Sequence, residues 1–286
     1  MTQPTITHPE GPSVATQEEA AIAVHELTKR YGHTVAVDGL SFQIPRGGVV
    51  GFVGPNGAGK TTTIRVLMGL IRPTSGDAFV LGKPVSHPET YLRRVGALIE
   101  SPAFYPALSG RRNLHALAIL GRHDRARVDT VLAIVGLDER GDDAYGQYSL
   151  GMKQRLGIAA ALLPDPELLI LDEPTNGLDP AGIREIRTLL RAIGDSGKTV
   201  FVSSHLLAEV QRMCDRLLVL RKGRLVFTGT VDELLVHRVG IVAVPAEPGS
   251  GTRSLRCAGP PVTKRPNCPA RCSRTRPANG RRCSTS

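Results

Sequence analysis

Short apolar runs alternate with longer amphipathic stretches along the chain, and this pattern predicts an α/β fold. Residues 49–53 and 168–171 are apolar runs of strand length, which are typical of strands buried on both faces. Further short strands are predicted at 21–25, 35–37, 40–44, 78–81, 95–99, 199–203, 217–220 and 224–227. The small early strands favour an antiparallel β subdomain beside a mostly parallel core.

Helical periodicity predicts an insertion within this core. Apolar residues recur at helical spacing over 109–135, in one stripe at 114–121 and another at 128–135. Ser149 is a predicted N-cap, and later helices are predicted over 150–163, 180–193 and 231–237. The pair Asp38-Gly39 predicts a hairpin turn between two of the early strands.

A glycine-rich loop joins the apolar run 49–53 to a predicted helix that begins at Thr62. The loop fits the pattern G-x-x-x-x-G-K-[ST] at every fixed position and consists of Gly54, Pro55, Asn56, Gly57, Ala58, Gly59, Lys60 and Thr61. Its glycines permit backbone angles at which successive N–H groups converge on phosphate oxygens at a helix N-terminus. Lys60 is expected to reach the β- and γ-phosphates and Thr61 to bind Mg²⁺. The sequence therefore predicts a nucleoside triphosphate site.

Two acidic residues follow the buried run 168–171 directly. Open α/β sheets bind ligands at the carboxyl ends of their strands, which is where Asp172 and Glu173 are expected to lie. Asp172 would hold Mg²⁺, and Glu173 would orient or deprotonate the attacking water. His205 follows the predicted strand 199–203 at the same edge. A lone strand-end acidic pair or histidine is often structural, but the phosphate loop favours a shared pocket.

Three further positions have a functional and a structural interpretation each. Tyr31 lies shortly before the phosphate-loop strand and could stack on an adenine ring, or could simply end a strand. Glu100 ends the strand 95–99, before a loop with Phe104 and Tyr105, and suits a metal-facing role or a partner-docking surface. The helix start at Ser149 offers N–H groups for a second anion, although most capped helices bind nothing.

The net charge of +10 suggests nucleic-acid binding until its position is considered. Residues 240–286 contain eight Arg and one Lys against one acidic residue, Glu247, which is +8. The remaining 27 basic and 25 acidic residues leave the rest of the chain at +2. The folded part is therefore expected to be nearly neutral, and no nucleic-acid partner is predicted.

The domain organisation follows from composition. Residues 1–20 are predicted to be disordered, 21–239 to form one nucleotide-binding domain with a helical subdomain at about 101–163, and 240–286 to be a basic, disordered tail. The tail could touch anionic lipid, but its abrupt change of composition favours a variable or frame-shifted terminus. With no apolar run near the roughly 18 residues that span a bilayer and no basic secretory start, a cytoplasmic protein is expected. Its four tail cysteines lack zinc-site spacing, and Cys214 is read as a core residue.

Together these motifs resemble the ATP-binding subunits of ABC transporters over about Ile22 to Leu235. Gly54 to Thr61 looks like Walker A, 168–173 like Walker B, 176–179 like the D-loop, and His205 like the switch histidine. Tyr31 matches the adenine-stacking A-loop. The resemblance implies a P-loop NTPase fold of the ABC ATPase type, with ATP and Mg²⁺ as ligands.

Two positions depart from the general family pattern. The signature, usually L-S-G-G-Q, reads Tyr148-Ser149-Leu150-Gly151-Met152 and keeps the serine and the second glycine. The loop that normally carries glutamine has Glu100. Both variants, with the run 99–106, resemble the subfamily that exports bacitracin-like or lantibiotic peptides and other drugs.

The resemblance implies a head-to-tail homodimer in which Ser149 and Gly151 of one copy complete the site built on Lys60 and Glu173 of the other. It also implies a separate membrane permease, contacted by the Glu100 loop and the helical insertion, with the chain peripheral at the inner face of the membrane. A soluble ABC ATPase acting on ribosomes or DNA, and a nucleotide sensor without turnover, are the alternatives. Co-purification with a membrane protein would distinguish a transporter subunit from these two alternatives.

Overall fold

The computed structural model describes residues 20–100 and 104–236. The predicted disorder of 1–19, the first residues of the helical subdomain at 101–103 and the predicted tail 240–286 with its four cysteines lie outside the described residues, as does position 237 of the last predicted helix. Ala20, predicted to be disordered, is the first residue of a strand. The described part therefore covers the motifs from Tyr31 to His205, except for residues 101–103 of the run 99–106.

The strands and helices alternate in the manner of an α/β protein. The strands are β1 Ala20–Tyr31, β2 Thr34–Pro45, β3 Gly48–Val53, β4 Ser75–Val80, β5 Lys83–Pro84, β6 Val95–Leu98, β7 Leu168–Leu171, β8 Thr199–Ser204, β9 Arg216–Arg221 and β10 Arg224–Thr230. The α-helices are α1 Lys60–Leu67, α2 Gly110–Gly121, α3 Arg127–Ile134, α4 Leu150–Leu162, α5 Pro180–Asp195, α6 Leu207–Val210 and α7 Val231–Val236.

The larger sheet has the strand order β10-β9-β3-β8-β7-β6. β9, β3, β8, β7 and β6 are parallel, and β10 is antiparallel to β9. Because β3, β8 and β7 are neighbours, the three motifs that follow them meet at one sheet edge. The predicted fold class, a mostly parallel core with an antiparallel β subdomain and a helical insertion, is confirmed.

The smaller sheet is antiparallel, with the strand order β2-β1-β4-β5. Its strand pairing shows that one prediction was wrong. Asp38-Gly39 is not a hairpin turn, because β2 runs straight through it. Tyr31 pairs with Thr34, so the chain reverses at Gly32-His33. Gly39 has φ +60° and sits where the register with β1 shifts, so its left-handed conformation forms a bulge.

Two apolar layers cover the larger sheet. Alternate residues of β7 belong to different layers. Leu169 and Leu171 pack in the layer formed with α2, α3, α4 and α5, whereas Leu168 and Ile170 pack in the layer formed with α1 and the antiparallel sheet. All four side chains of β7 are buried, as the apolar run predicted. This burial on both faces holds the carboxyl end of β7 rigidly at the site.

The helical insertion is present as α2 and α3, which the left-handed residue Arg122 separates (φ +54°). Leu114 and Ala118 are buried as predicted, but Gly121 is exposed at the end of α2. Ser149 caps α4 by accepting a hydrogen bond from the Met152 N–H at 3.2 Å. Among the described residues no helix is both long and apolar enough to cross a bilayer.

A charge cluster at the opposite edge of the sheet predicts pH-dependent stability. Arg94 donates to Glu167 at 2.7 Å and Arg46 at 2.8 Å, and these contacts, with Arg94 the stronger, lower the pKa of Glu167. A lowered carboxyl pKa stabilises the fold above the unfolded-state pKa, and the contribution is lost as the pH falls through the folded-state pKa.

We therefore expect Glu167→Gln to lower the free energy of unfolding at pH 7 by up to about 1 kcal/mol, because the cluster is partly exposed. The difference from the parent should close as the pH falls below the ordinary pKa of glutamate and through the lowered pKa of Glu167 in the folded state. Chemical denaturation across this range measures it, with the exposed Glu139→Gln as control. If the free energy of unfolding of Glu167→Gln stayed below that of the parent at low pH, the loss of stability would be due to packing rather than to charge.

Candidate nucleotide site

The phosphate loop follows β3 and leads directly into α1. Gly57 and Gly59 have φ of +77° and +104°, in the region that favours glycine. A Cβ on Gly59 would lie 2.5 Å from the carbonyl oxygen of Ala36, so another residue there would displace the loop. The loop is also braced by the Gly223 N–H, which donates to the Ala58 carbonyl at 3.0 Å.

Lys60, Glu173 and His205 form a continuous chain of contacts. The buried Lys60 ammonium donates to the carbonyls of Gly54 at 2.6 Å and Pro55 at 3.3 Å, and lies 3.1 Å from Oε1 of Glu173. His205 Nδ1 lies 2.8 Å from the other carboxylate oxygen, Oε2, which also accepts the His205 N–H at 3.2 Å. The three residues predicted to be catalytic are therefore in direct contact.

Glu173 has a strained backbone. Its φ of +50° is uncommon for a residue with a Cβ and costs on the order of 1 to 3 kcal/mol. The strand β7 on one side and the buried Pro174 on the other hold it there. Such strain persists where the surrounding structure imposes it, and here it aims the carboxylate at Lys60 and His205.

Asp172 lies beside Thr61, as predicted, and a residue that the sequence analysis missed holds it there. The Thr61 hydroxyl donates to Oδ2 of Asp172 at 2.7 Å. Ser203, buried in β8, donates its hydroxyl to Oδ1 of Asp172 and accepts the Glu173 N–H at 2.9 Å. The two serines that end β8 after an apolar run were the available signal.

A cavity of about 380 Å³ opens over the loop. It is lined by Tyr31, Thr34, Val35, Ala36, Asn56, Gly57, Ala58, Gly59, Lys60, Thr61, Thr62 and Glu173. The Tyr31 ring is half exposed, with the Lys29 ammonium 5.1 Å from its centroid. The volume lies in the usual range of small-molecule sites, roughly 300 to 1,000 Å³.

Four predicted positions do not line this cavity but contact residues that do, namely Gly54, Pro55, Asp172 and His205. Three further predicted positions lie outside it. Ser149 and the neighbouring Gly151 stand at the start of α4, and no atom lies within 4 Å of a Cβ built on Gly151. Glu100 has φ +69° and an exposed carboxylate that forms an ion pair with Arg65. The structure therefore gives Glu100 a cationic partner and does not bring it into contact with Thr61 or Asp172, so its metal role stays a prediction.

The oxygen donors present fit Mg²⁺ held jointly with a nucleotide. Thr61 and Asp172 supply one hydroxyl and one carboxylate. Within 20–100 and 104–236, no three His, Cys, Asp or Glu side chains are grouped to hold an ion alone. Mg²⁺ usually takes one or two carboxylates, with phosphates and waters as its other ligands, so this sparse set is suitable.

Comparison with known proteins agrees with the geometry. Residues 37–176 match the family described as ABC transporter. The bacitracin transport ATP-binding protein BcrA of Bacillus licheniformis is 48% identical over 216 residues, covering 74% of this chain and 71% of that protein. The lantibiotic transport ATP-binding protein SrtF of Streptococcus pyogenes is 38% identical over 211 residues, covering 74% and 91%.

A solved structure supports the same assignment. CbiO1 from Clostridium perfringens, part of an ABC transporter complex, superposes with a TM-score of 0.71 at 30% identity, covering 79% of this chain and 96% of that one. The phosphate loop, the acidic pair and the strand order are all accounted for by one family. The chain belongs to the ABC transporter ATP-binding proteins, and it is an ATPase.

Proposed function

We propose that this chain hydrolyses ATP as a dimer to drive a separate membrane permease. The observation that carries the proposal is the contact chain from Lys60 through Glu173 to His205 beside the cavity. In this proposal Glu173 takes a proton from water, and His205 orients the carboxylate that does so. Bound Mg²⁺, held by Thr61 and Asp172, would supply positive charge to the phosphates.

The phosphate-binding groups already have partners within the protein. The Lys60 ammonium contacts two loop carbonyls and the Glu173 carboxylate. A triphosphate that reaches Lys60 replaces these contacts with charge-assisted hydrogen bonds to its own oxygens. Glu173 then loses its cation but keeps His205, which leaves the carboxylate oriented toward the water.

The open face at Ser149 and Gly151 supports a head-to-tail dimer. Both residues are at the start of a 13-residue helix, whose free N–H groups attract anions. Gly151 leaves room for a close approach, since nothing surrounds its Cβ position. In the proposed dimer this helix start faces the γ-phosphate bound to Lys60 of the other copy, so that ATP joins the two copies.

A second cavity supplies the proposed permease contact. This groove of about 770 Å³, the β6 groove, lies between the edge strand β6 and the helices α2 and α4. Apolar side chains line much of it, among them Val95, Ile99, Phe104, Leu117, Leu120 and Leu163. Leu120 is 80% exposed and continues the apolar lining of the groove to the surface, and contiguous exposed apolar patches mark interaction sites.

A buried asparagine shapes one side of this region. Asn113 is 2% exposed; its amide donates to the carbonyls of Tyr105, Leu108 and Ser109, and its oxygen accepts the Tyr105 N–H at 2.8 Å. These bonds hold the segment 105–109 in one conformation and leave the Tyr105 side chain 69% exposed. The surface is therefore preorganised for a partner.

The cargo class follows from the relatives rather than from the site. The names of two similar proteins specify bacitracin and lantibiotic transport. We therefore propose export of a peptide antibiotic or drug, with the chain peripheral at the inner face of the membrane. The cargo itself would contact the permease.

Leu120→Glu tests the permease contact. Co-expressed with its permease partner, this variant should be recovered in the membrane fraction at least about tenfold less than the parent, because a carboxylate buried in an apolar contact is unfavourable. The exposed Leu70→Glu, outside the β6 groove, is the matched control. ATPase activity of the isolated chain should not change in either variant.

Equal membrane recovery of the Leu120 variant and the parent would contradict docking at the β6 groove. If the parent itself did not co-purify with any membrane protein, a soluble ABC ATPase or a nucleotide sensor would be favoured. ATP turnover by the isolated chain would then distinguish these two.

A further inference from the structure

Two chain segments that carry the proposed catalytic groups are joined a second time, next to the Glu173 and His205 contact. The Thr175 hydroxyl donates to Oε2 of Glu209 at 3.0 Å. Thr175 is two residues after Glu173, and Glu209 is four residues after His205. The segment after β7 and the segment after β8 are therefore joined by two side-chain contacts, Glu173 with His205 and Thr175 with Glu209.

The hydrogen bond between Thr175 and Glu209 is largely shielded from water. Thr175 is 6% exposed and Glu209 is half-buried, so water competes little for their contact. The turn that carries Thr175 is fixed by the Asn176 N–H, which donates to the Glu173 carbonyl at 3.1 Å. The Thr175 hydroxyl is thus held in a fixed position two residues after the Glu173 carboxylate.

Besides its contacts with Glu173, the segment that carries His205 is held locally by the Leu206 N–H, which donates to the Ser204 hydroxyl oxygen at 3.0 Å. His205 and Leu206 connect β8 to α6, a helix of four residues whose N-cap Leu206 makes no side-chain capping bond. α6 is attached on one side by the buried Val210, whose methyl group occupies the space beside Gly51. Its one polar side chain, Glu209, makes the attachment on the other side.

We propose that Thr175 and Glu209 are positioning residues for ATP hydrolysis, because their hydrogen bond fixes α6 and so sets His205 against Glu173. Neither residue lines the nucleotide cavity or contacts the reacting atoms. They act through His205, which they hold within reach of the carboxylate. This inference rests on the proposed roles of Glu173 and His205.

Thr175→Val removes the hydroxyl and keeps the size and branching of the side chain. We expect kcat for ATP hydrolysis to fall about tenfold with KM for ATP within about twofold, since a misplacement near 1 Å costs up to about 100-fold. Thr175→Ser restores the hydroxyl and should restore kcat. Thr90→Val is the matched control, because Thr90 donates its hydroxyl to the His87 carbonyl outside the site.

The same bond is tested from the other side by changing Glu209. Glu209→Gln keeps a hydrogen-bond acceptor and should retain most of kcat, whereas Glu209→Ala should match Thr175→Val. Since Glu209 is half-buried, these variants test the bond even if the valine variant does not fold. A kcat for Glu209→Ala equal to the parent's would overturn the proposal.

A readout independent of activity separates positioning from general destabilisation. The imidazole ¹⁵N resonances of His205, assigned by their loss in His205→Ala, should shift in Thr175→Val and Glu209→Ala and not in Thr90→Val. Unshifted resonances would overturn the proposal, whatever the melting temperatures. If Glu173→Gln hydrolyses ATP normally, the proposed site is wrong; if only the Thr175 and Glu209 variants are normal, the positioning role alone is wrong.

Discussion

Replacing Glu173 with Gln is expected to lower ATP turnover by about 100- to 10,000-fold, the usual contribution of a general base. The amide is nearly the same size as the carboxylate, so the side chain can stay near His205, but a neutral amide cannot accept the proton of the attacking water. The variant also removes the negative charge 3.1 Å from the Lys60 ammonium. ATP binding should therefore be retained or tightened.

The measurement is single-turnover hydrolysis together with equilibrium ATP binding in the presence of Mg²⁺. Glu185→Gln, on the exposed face of α5, is the control and should behave like the parent. Turnover at the parental rate in Glu173→Gln would remove the assignment of the base. A loss of turnover accompanied by an equal loss of ATP binding would assign Glu173 to binding instead.

Mixing two inactive variants is expected to restore hydrolysis, because each site of a head-to-tail dimer takes residues from both copies. Lys60→Ala removes the cation that would bind the β- and γ-phosphates, a loss of about 2 to 4 kcal/mol or roughly 30- to 1,000-fold in affinity. Gly151→Asp places a carboxylate where the facing γ-phosphate is proposed to lie. Each variant alone should be nearly inactive.

The aspartate variant should fold normally. No atom lies within 4 Å of a Cβ at Gly151, and an acidic residue in the first turn favours the helix. In an equimolar mixture, half of the dimers pair the two variants, and each of these contains one intact site. Hydrolysis should therefore recover to roughly a quarter of the parental rate, by the symmetry of the dimer.

The matched control is a chain that carries both substitutions, mixed with the parent. Those mixed dimers contain no intact site, so activity should fall below that of the parent diluted with buffer. If the two single variants did not rescue each other, and the doubly substituted chain left the activity of the parent equal to that of the diluted parent, Ser149 and Gly151 would act within their own copy and the head-to-tail arrangement would be wrong.

The sequence predicted the structure correctly where a short local pattern is sufficient to define the backbone geometry. The phosphate loop needs only a strand, glycines and a helix start in order, and the structure has β3, the loop and α1 as predicted. The apolar run before Asp172 was long enough to indicate burial on both faces. The prediction failed at Asp38-Gly39, because the same left-handed glycine geometry serves a hairpin turn or a bulge, and strand pairing chooses between them.

By itself the sequence determined the fold class, the phosphate loop, the strand-end acids and the family to which they belong, since these depend on neighbours along the chain. Only the tertiary structure decided that β3, β8 and β7 lie side by side, which brings His205 to Glu173 across 32 positions. It also supplied partners that the sequence analysis did not identify: Ser203 for Asp172, Arg65 for Glu100 and Glu209 for Thr175. Contacts between distant positions depend on strand order and register, because a shift of one residue turns every side chain of a strand to the other face.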